Sequence, residues 1–149
     1  MPEEWLIDGY NLLYDLQSRK GGPTRDRLFA LLAGFATRER RVLMVLDGVG
    51  NDQEFRAFCT SSFEIVYSQS VSADTHIERY LSERKGRAML MVVTRDNAVA
   101  MMARGSGARV YDPREFMKVF AEVDSERSET LLRQRVRGHG FNRPFDGKL

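Results

Sequence analysis

Met89-Leu90-Met91-Val92-Val93-Thr94-Arg95-Asp96 carries five apolar residues without a break and then turns polar within three. A short apolar run bounded in this way reads as a buried strand, and Asn97 to Arg104 reads as the helix after it. The same pattern recurs along the chain. Trp5 to Ile7 is a short apolar strand, and Asp8-Gly9-Tyr10-Asn11 is the turn leaving it. Leu12-Leu13-Tyr14 resumes a helical turn before Arg19-Lys20-Gly21-Gly22-Pro23 breaks the pattern. Thr24 then caps a helix with Leu28, Leu31, Leu32 and Phe35 at core-facing spacing. Val42 to Leu46 is a second strand ending at Asp47-Gly48, and Phe63 to Tyr67 is a third. Ser72 caps an amphipathic helix from Ala73 to about Lys85, with Ile77, Tyr80 and Leu81 inward and Gly86 as its stop. Ala108 to Tyr111 is a short last strand. Asp112-Pro113 opens a helix whose buried stripe is Phe116, Val119, Phe120 and Val123. Strands alternating with helices predict an α/β domain: about five parallel strands in one sheet, with helices on both faces.

At 149 residues and 17.1 kDa the chain suits one such domain, and 42% hydrophobic with 30% charged residues excludes a disordered protein. No apolar stretch reaches the length of a membrane span. Met1-Pro2-Glu3-Glu4 is acidic and runs directly into a strand, unlike a signal peptide. Cys59 is the single cysteine, which excludes an internal disulfide and reads as a small buried thiol. These features lead us to expect a cytoplasmic protein with no membrane partner. The net charge of +2 is uneven: residues 131–149 hold five basic residues against one acid, leaving the remainder slightly acidic. We therefore expect a domain over residues 1–124 and a basic extension over 125–149, helical and then irregular. Such a tail suits an anionic partner, and a solvated terminus explains it equally well.

Four aspartates stand at the ends of these elements. Asp8, Asp47 and Asp96 follow strands, and Asp74 opens a helix. In an open α/β sheet the residues past the carboxyl ends of strands converge on one crevice. Carboxylates gathered there repel one another unless a hard divalent cation neutralises them, and Mg²⁺ is the usual ion for oxygen-only ligands. The pattern points to phosphate-ester chemistry. Each acid also has a local explanation. Asp8 suits an Asx-turn, and Gly9 gives a tight backbone path that exposes its carboxylate. Asp74 suits the positive end of a helix dipole. Asp96 suits an N-cap, and Asp47 suits a turn. Asn11 either caps a helix start or orients a water or carboxylate. Glu78 shares the helix face of Asp74 and is a supporting candidate. His76 has no second histidine at ligand spacing and reads as a surface residue, and His139 lies in the tail.

Four motifs in order carry a family resemblance. Leu6-Ile7-Asp8-Gly9-Tyr10-Asn11-Leu12, Val42-Leu43-Met44-Val45-Leu46-Asp47-Gly48, Ala73-Asp74-Thr75-His76-Ile77-Glu78 and Val92-Val93-Thr94-Arg95-Asp96 resemble the conserved elements of the NYN-domain family, in its YacP-like branch. The match spans roughly Trp5 to Val123. It implies a three-layer PIN-like fold with strand order 3-2-1-4-5 and metal-dependent endonucleolytic cleavage of RNA, with Mg²⁺ or Mn²⁺. One member of the branch is similar to a ribosome-associated mRNA endonuclease, which makes the ribosome a candidate partner. By motif, Asp8 and Asp74 match catalytic positions. Asp96 matches a further acidic position at the metal site, with Asp47 and Asn11 nearby. Arg95 stands where a small serine is usual, and places a bulky cation beside that site.

RNA contacts are expected from Arg19, Lys20, Arg25 and Arg95, and from the tail arginines, as phosphate contacts that carry no sequence information. Tyr10 and Phe141 are candidate stacking surfaces for unpaired bases. A homodimer is compatible with this pattern. The main rival is an RNA- or ribosome-binding module on the same fold with little or no cleavage, in which the charge of Arg95 partly replaces a metal. Phosphatase and receiver folds fit poorly, since no second acid follows Asp8 two residues on, and no Walker or Gly-x-Gly-x-x-Gly loop supports a nucleotide cofactor.

Overall fold

The unbroken apolar runs Trp5–Ile7, Val42–Leu46 and Met89–Val93 of the central strands require cover on both faces of the sheet, and helices supply it. The structure, a computed structural model, describes residues 2–50, 52–69, 71–84 and 89–139, with Asp52 and residues 127–139 described as helical backbone alone. The elements run β1 (Glu3–Asp8), α1 (Gly9–Gln17), α2 (Arg25–Phe35), β2 (Arg40–Leu46), α3 (Asp52–Phe58), β3 (Phe63–Tyr67), α4 (Ala73–Arg84), β4 (Met89–Val93), α5 (Asn97–Gly105), β5 (Arg109–Tyr111) and α6 (Pro113–His139). The five strands form one sheet in the order β3-β2-β1-β4-β5. All pairings are parallel, with Asp8 beside Val45 of β2 and Ile7 beside Val93 of β4.

Strand side chains alternate between faces, and the two faces have different covers. Leu6, Val45, Val92 and their neighbours pack with Ala73, Ile77 and Leu81 of α4 and Val99 and Ala103 of α5. On the opposite face Trp5 meets Phe35 of α2 at 5.8 Å between ring centroids and Phe116 of α6 at 5.4 Å. Phe35 and Phe116 also meet edge to face at 5.5 Å. Alternation places Asp8 and Thr94 on the same face as Leu6 and Val92, the side of α4 and α5.

The chain divides into two compact units, Met1–Phe116 and Met117–Leu149. The sheet and the candidate site belong to the first, and the second is helical as far as His139. Phe116 is buried, whereas Val119, Phe120 and Val123 are half-buried. Gly86, Phe141 and the irregular end of the tail lie outside the described residues, as do the side chains of the tail arginines.

Several local expectations change. The Asp8–Asn11 segment is no separate turn, because α1 starts directly at Gly9. Helix α3 has little apolar periodicity and escapes a sequence reading; Phe58 holds it against Phe29 of α2 at 5.5 Å. In α2, Phe29 is fully buried and Leu31 only half-buried. Cys59 is half-buried and not in the core, because it lies in the loop before β3, where its Sγ accepts the Ile65 N–H at 3.3 Å. Among the described residues no helix is long and apolar enough to cross a membrane.

Candidate active site

Strand β1 has β2 on one side and β4 on the other, so the chain's direction of travel across the sheet reverses beside it. That reversal opens a crevice past the carboxyl ends of the strands. Asp8 is the last residue of β1 and only 4% exposed. Gly9 explains the burial. A Cβ there would lie 2.8 Å from the carbonyl oxygen of Val45, so only glycine lets α1 begin this close to β2. The glycine thus sinks Asp8 into the fold and does not expose it.

Burial pushes the Asp8 carboxyl up to about 6, and the charges of Asp74 and Asp47 push in the same direction. Two groups oppose the rise. The Asn11 N–H faces the carboxylate without reaching side-chain capping geometry, and the Thr94 hydroxyl lies 3.4 Å from Asp8 Oδ2.

Asp74 sits in the first turn of α4, and two side chains pin that turn. Asp47 Oδ1 accepts the Ala73 N–H at 2.6 Å, and Ser72 Oγ accepts the Thr75 N–H at 3.1 Å. The Asp47 carboxylate therefore ties the end of β2 to the start of α4. Gly48 turns the chain away at a φ of +93°, a region glycine enters without a Cβ penalty. Burial raises the Asp74 carboxyl above the usual range, and Asp96 and Asp47 raise it further. Asp96 caps α5 through one oxygen, Oδ1, which accepts from Ala98 N at 2.8 Å and Val99 N at 3.0 Å. Asp47 and Asp96 thus each have a structural task, and Asp74 links all four electrostatically. Asp8 and Asp74 lie on the same side of the molecule.

Among the described residues none of these four aspartates forms an ion pair, and no three His, Cys, Asp or Glu side chains stand ready to hold one ion. The donor set nonetheless fits a hard divalent cation: it is all oxygen and in excess of negative charge, with Asp74 and Asp47 raising Asp8, and Asp96 and Asp47 raising Asp74.

Thr94 and Asp15 are the residues that the sequence reading passed over. Thr94 is 3% exposed, and its Oγ1 lies 3.5 Å from Asn11 Oδ1 and accepts the Asp96 N–H at 3.1 Å. Asn11 Oδ1 also accepts the Arg95 N–H. This side chain therefore clasps the loop after β4 to α1, a task different from capping. A threonine two residues before a strand-end aspartate was the available signal. Asp15 is buried at 8% exposure, with Arg19 at 2.9 Å and Arg95 at 3.5 Å. Arg95 is thus held toward α1, and no arginine figures among the groups that shift Asp8 or Asp74.

The other expected contacts are dispersed. Arg25 makes a two-pronged bond to Glu54 of α3, at 2.8 Å for each nitrogen, and Tyr67 also donates to Glu54. Lys20 is exposed beyond α1, and Tyr10 is 43% exposed on its first turn. Glu78 is exposed and His76 half-buried on α4.

A parallel sheet in this order, covered by helices on both faces, is the three-layer PIN-like fold, here with an acidic crevice at its reversal point. The chain belongs to the YacP-like NYN family, whose model matches residues 5–148. Its fold is similar to the crystal structure of Rae1 (YacP) from Bacillus subtilis, with a TM-score of 0.66 and 19% identity over 90% of this chain and 84% of that one. A tryptophan-to-leucine mutant of the same protein gives 0.63 and 22% over 95% and 86%. At such identities the likeness is one of fold. Compared with curated proteins, the chain matches none.

Proposed function

We propose that the protein is a divalent-metal-dependent endoribonuclease. The observation that carries this reading is that burial and neighbouring acids raise both Asp8 and Asp74 at the sheet's reversal point, Asp74 itself acting on Asp8, without a cationic partner among the described residues. Asp8, Asp74 and Asp96 would hold Mg²⁺ or Mn²⁺, with Asp47 contributing from the edge. An ion held by these residues would supply the acidification of water near neutral pH and the offset to charge on the phosphodiester that hydrolysis requires. Thr94 orients Asp8 from below, and Asn11 keeps the loop after β4 in place. Glu78 supports the site through water, one turn along α4. Lys20, Arg19, Arg25 and Arg95 position the strand through its phosphates, and Tyr10 offers a stacking surface. We assign these roles to the domain over residues 1–124, with 125–149 as a basic extension toward RNA or the ribosome in the cytoplasm.

Purified protein incubated with Mn²⁺ and an unstructured RNA tests the proposal. Cleavage by the wild type, abolished by chelation and by Asp74→Asn, is the expected result. RNA retained by both proteins with no metal-dependent cleavage by either would instead identify a binding module.

A further inference from the structure

Past the carboxyl ends of β4 and β5, one strand over from the acids, lies a hollow of about 300 Å³. We propose that it holds one unpaired nucleotide of the RNA strand, next to the phosphate attacked at the acidic crevice; this rests on the nuclease reading. Its size is at the small end of ligand pockets, suited to a single nucleotide.

The lining has a mixed character that a bare anion would not match. Arg104, exposed in the last turn of α5, lines one wall and has no ion-pair partner among the described residues. Arg95 joins it, still 56% exposed despite its contact with Asp15. Two carboxylates, Asp112 and Glu115, line it as well. They form a reciprocal cap: Glu115 Oε1 accepts the Asp112 N–H at 2.9 Å, and Asp112 Oδ1 accepts the Glu115 N–H at 2.8 Å. The cap fixes both side chains and uses one oxygen of each. Ala100 and Val110 add apolar surface, and Asn97 a further polar side chain.

A nucleotide presents the complementary set. Its phosphate suits the guanidinium groups. The amino group of guanine, cytosine or adenine suits acceptor-only carboxylates, and the ring face suits the apolar lining. Uracil has no exocyclic amino group to offer. Thr94 joins the two sites, since it lines the hollow and also reaches Asp8 Oδ2 at 3.4 Å. Parallel strands lie about 4.8 Å apart, so a strand of RNA crossing the crevice passes directly over the hollow.

The test is binding of the full chain to short labelled oligouridylates that carry a single guanine, cytosine or adenine, in chelator, by fluorescence anisotropy. One amino-bearing base should tighten binding about tenfold over oligouridylate alone. Arg104→Ala should weaken every complex about tenfold and reduce the salt slope by about 0.7. Arg109→Ala, an equal charge change on β5 away from the hollow, should stay within about twofold of wild type. Glu115→Gln retains the cap and should erase the base preference without the loss seen for Arg104→Ala. Equal affinity for all bases, or an Arg104→Ala effect no larger than that of Arg109→Ala, overturns the proposal. The two readings fail separately. Mn²⁺-dependent cleavage lost in Asp74→Asn but indifferent to Arg104→Ala removes the subsite and keeps the nuclease. Base-selective, Arg104-dependent binding by a wild type that does not cleave does the reverse.

Discussion

A carboxyl raised from 3.8 to about 6 by burial and by two neighbouring acids has a definite consequence for folding. Unfolded Asp8 ionises near its ordinary value, whereas folded Asp8 keeps its proton until about 6. Between those values the folded chain binds more protons than the unfolded one, so stability falls as pH rises, and the whole cost is present above the folded value. Asp8→Asn removes that cost. It should stabilise the metal-free protein by roughly 1–3 kcal/mol at about pH 7.5 and by almost nothing at about pH 4. Urea unfolding at the two pH values measures this, and an equal gain at both would contradict it. Thr94 makes a second residue-scale case. Thr94→Val leaves Asp8 without its hydroxyl neighbour and the Asp96 N–H without its acceptor, and should lower cleavage about ten- to a hundredfold. Thr94→Ser should restore most of it; a valine variant as active as wild type would remove Thr94 from the mechanism. The threonine was visible in the sequence, but its partners Asp8 and Asn11 stand more than eighty positions away, and no local pattern connects them.

Helix starts do most of the positioning. Helix α4 begins where Asp47 accepts the Ala73 N–H, so Asp47 has a mechanical task beside its electrostatic one, and two substitutions separate them. Asp47→Asn keeps an acceptor and should fold nearly as well as wild type while binding Mn²⁺ more weakly by titration calorimetry. Asp47→Ala removes the acceptor as well and should cost about 1 kcal/mol of stability, as the loss of a helix cap does. If both variants fold and bind alike, Asp47 is only a turn residue. Helix α1 begins at Gly9, where an added Cβ meets the Val45 backbone. Backbone cannot swing aside as a side chain can, so Gly9→Ala should destabilise by roughly 1–3 kcal/mol, read as a lower thermal midpoint. An unchanged midpoint would show that α1 can shift freely. Both helix starts lie within motifs that the sequence displays. What those residues pack against is set by strands that come later or earlier in the chain.

For the whole molecule, the proposed function implies that the four aspartates would make the folded state a binding partner for divalent cations that the unfolded chain lacks. At a hundredfold excess over Kd, Mn²⁺ should stabilise the protein by about 2.7 kcal/mol, and chelation should reverse the gain. Asp74→Asn should respond far less, and equal responses would place the ion elsewhere. The order of the strands and of every helix but α3, the parallel sheet and the four aspartates at element ends were legible in the sequence, because apolar period and turn chemistry are local properties. The YacP-like motifs extended that reading to strand order, which periodicity alone does not contain. Tertiary structure alone decided that Gly9 buries Asp8, that Asp47 caps α4, that Arg25 is engaged by Glu54 and that Asp15 holds Arg95 toward α1. Each depends on side chains brought together by strand pairing and helix packing across the fold, and a charge's neighbours, unlike its periodicity, are set by distance in space and not along the chain.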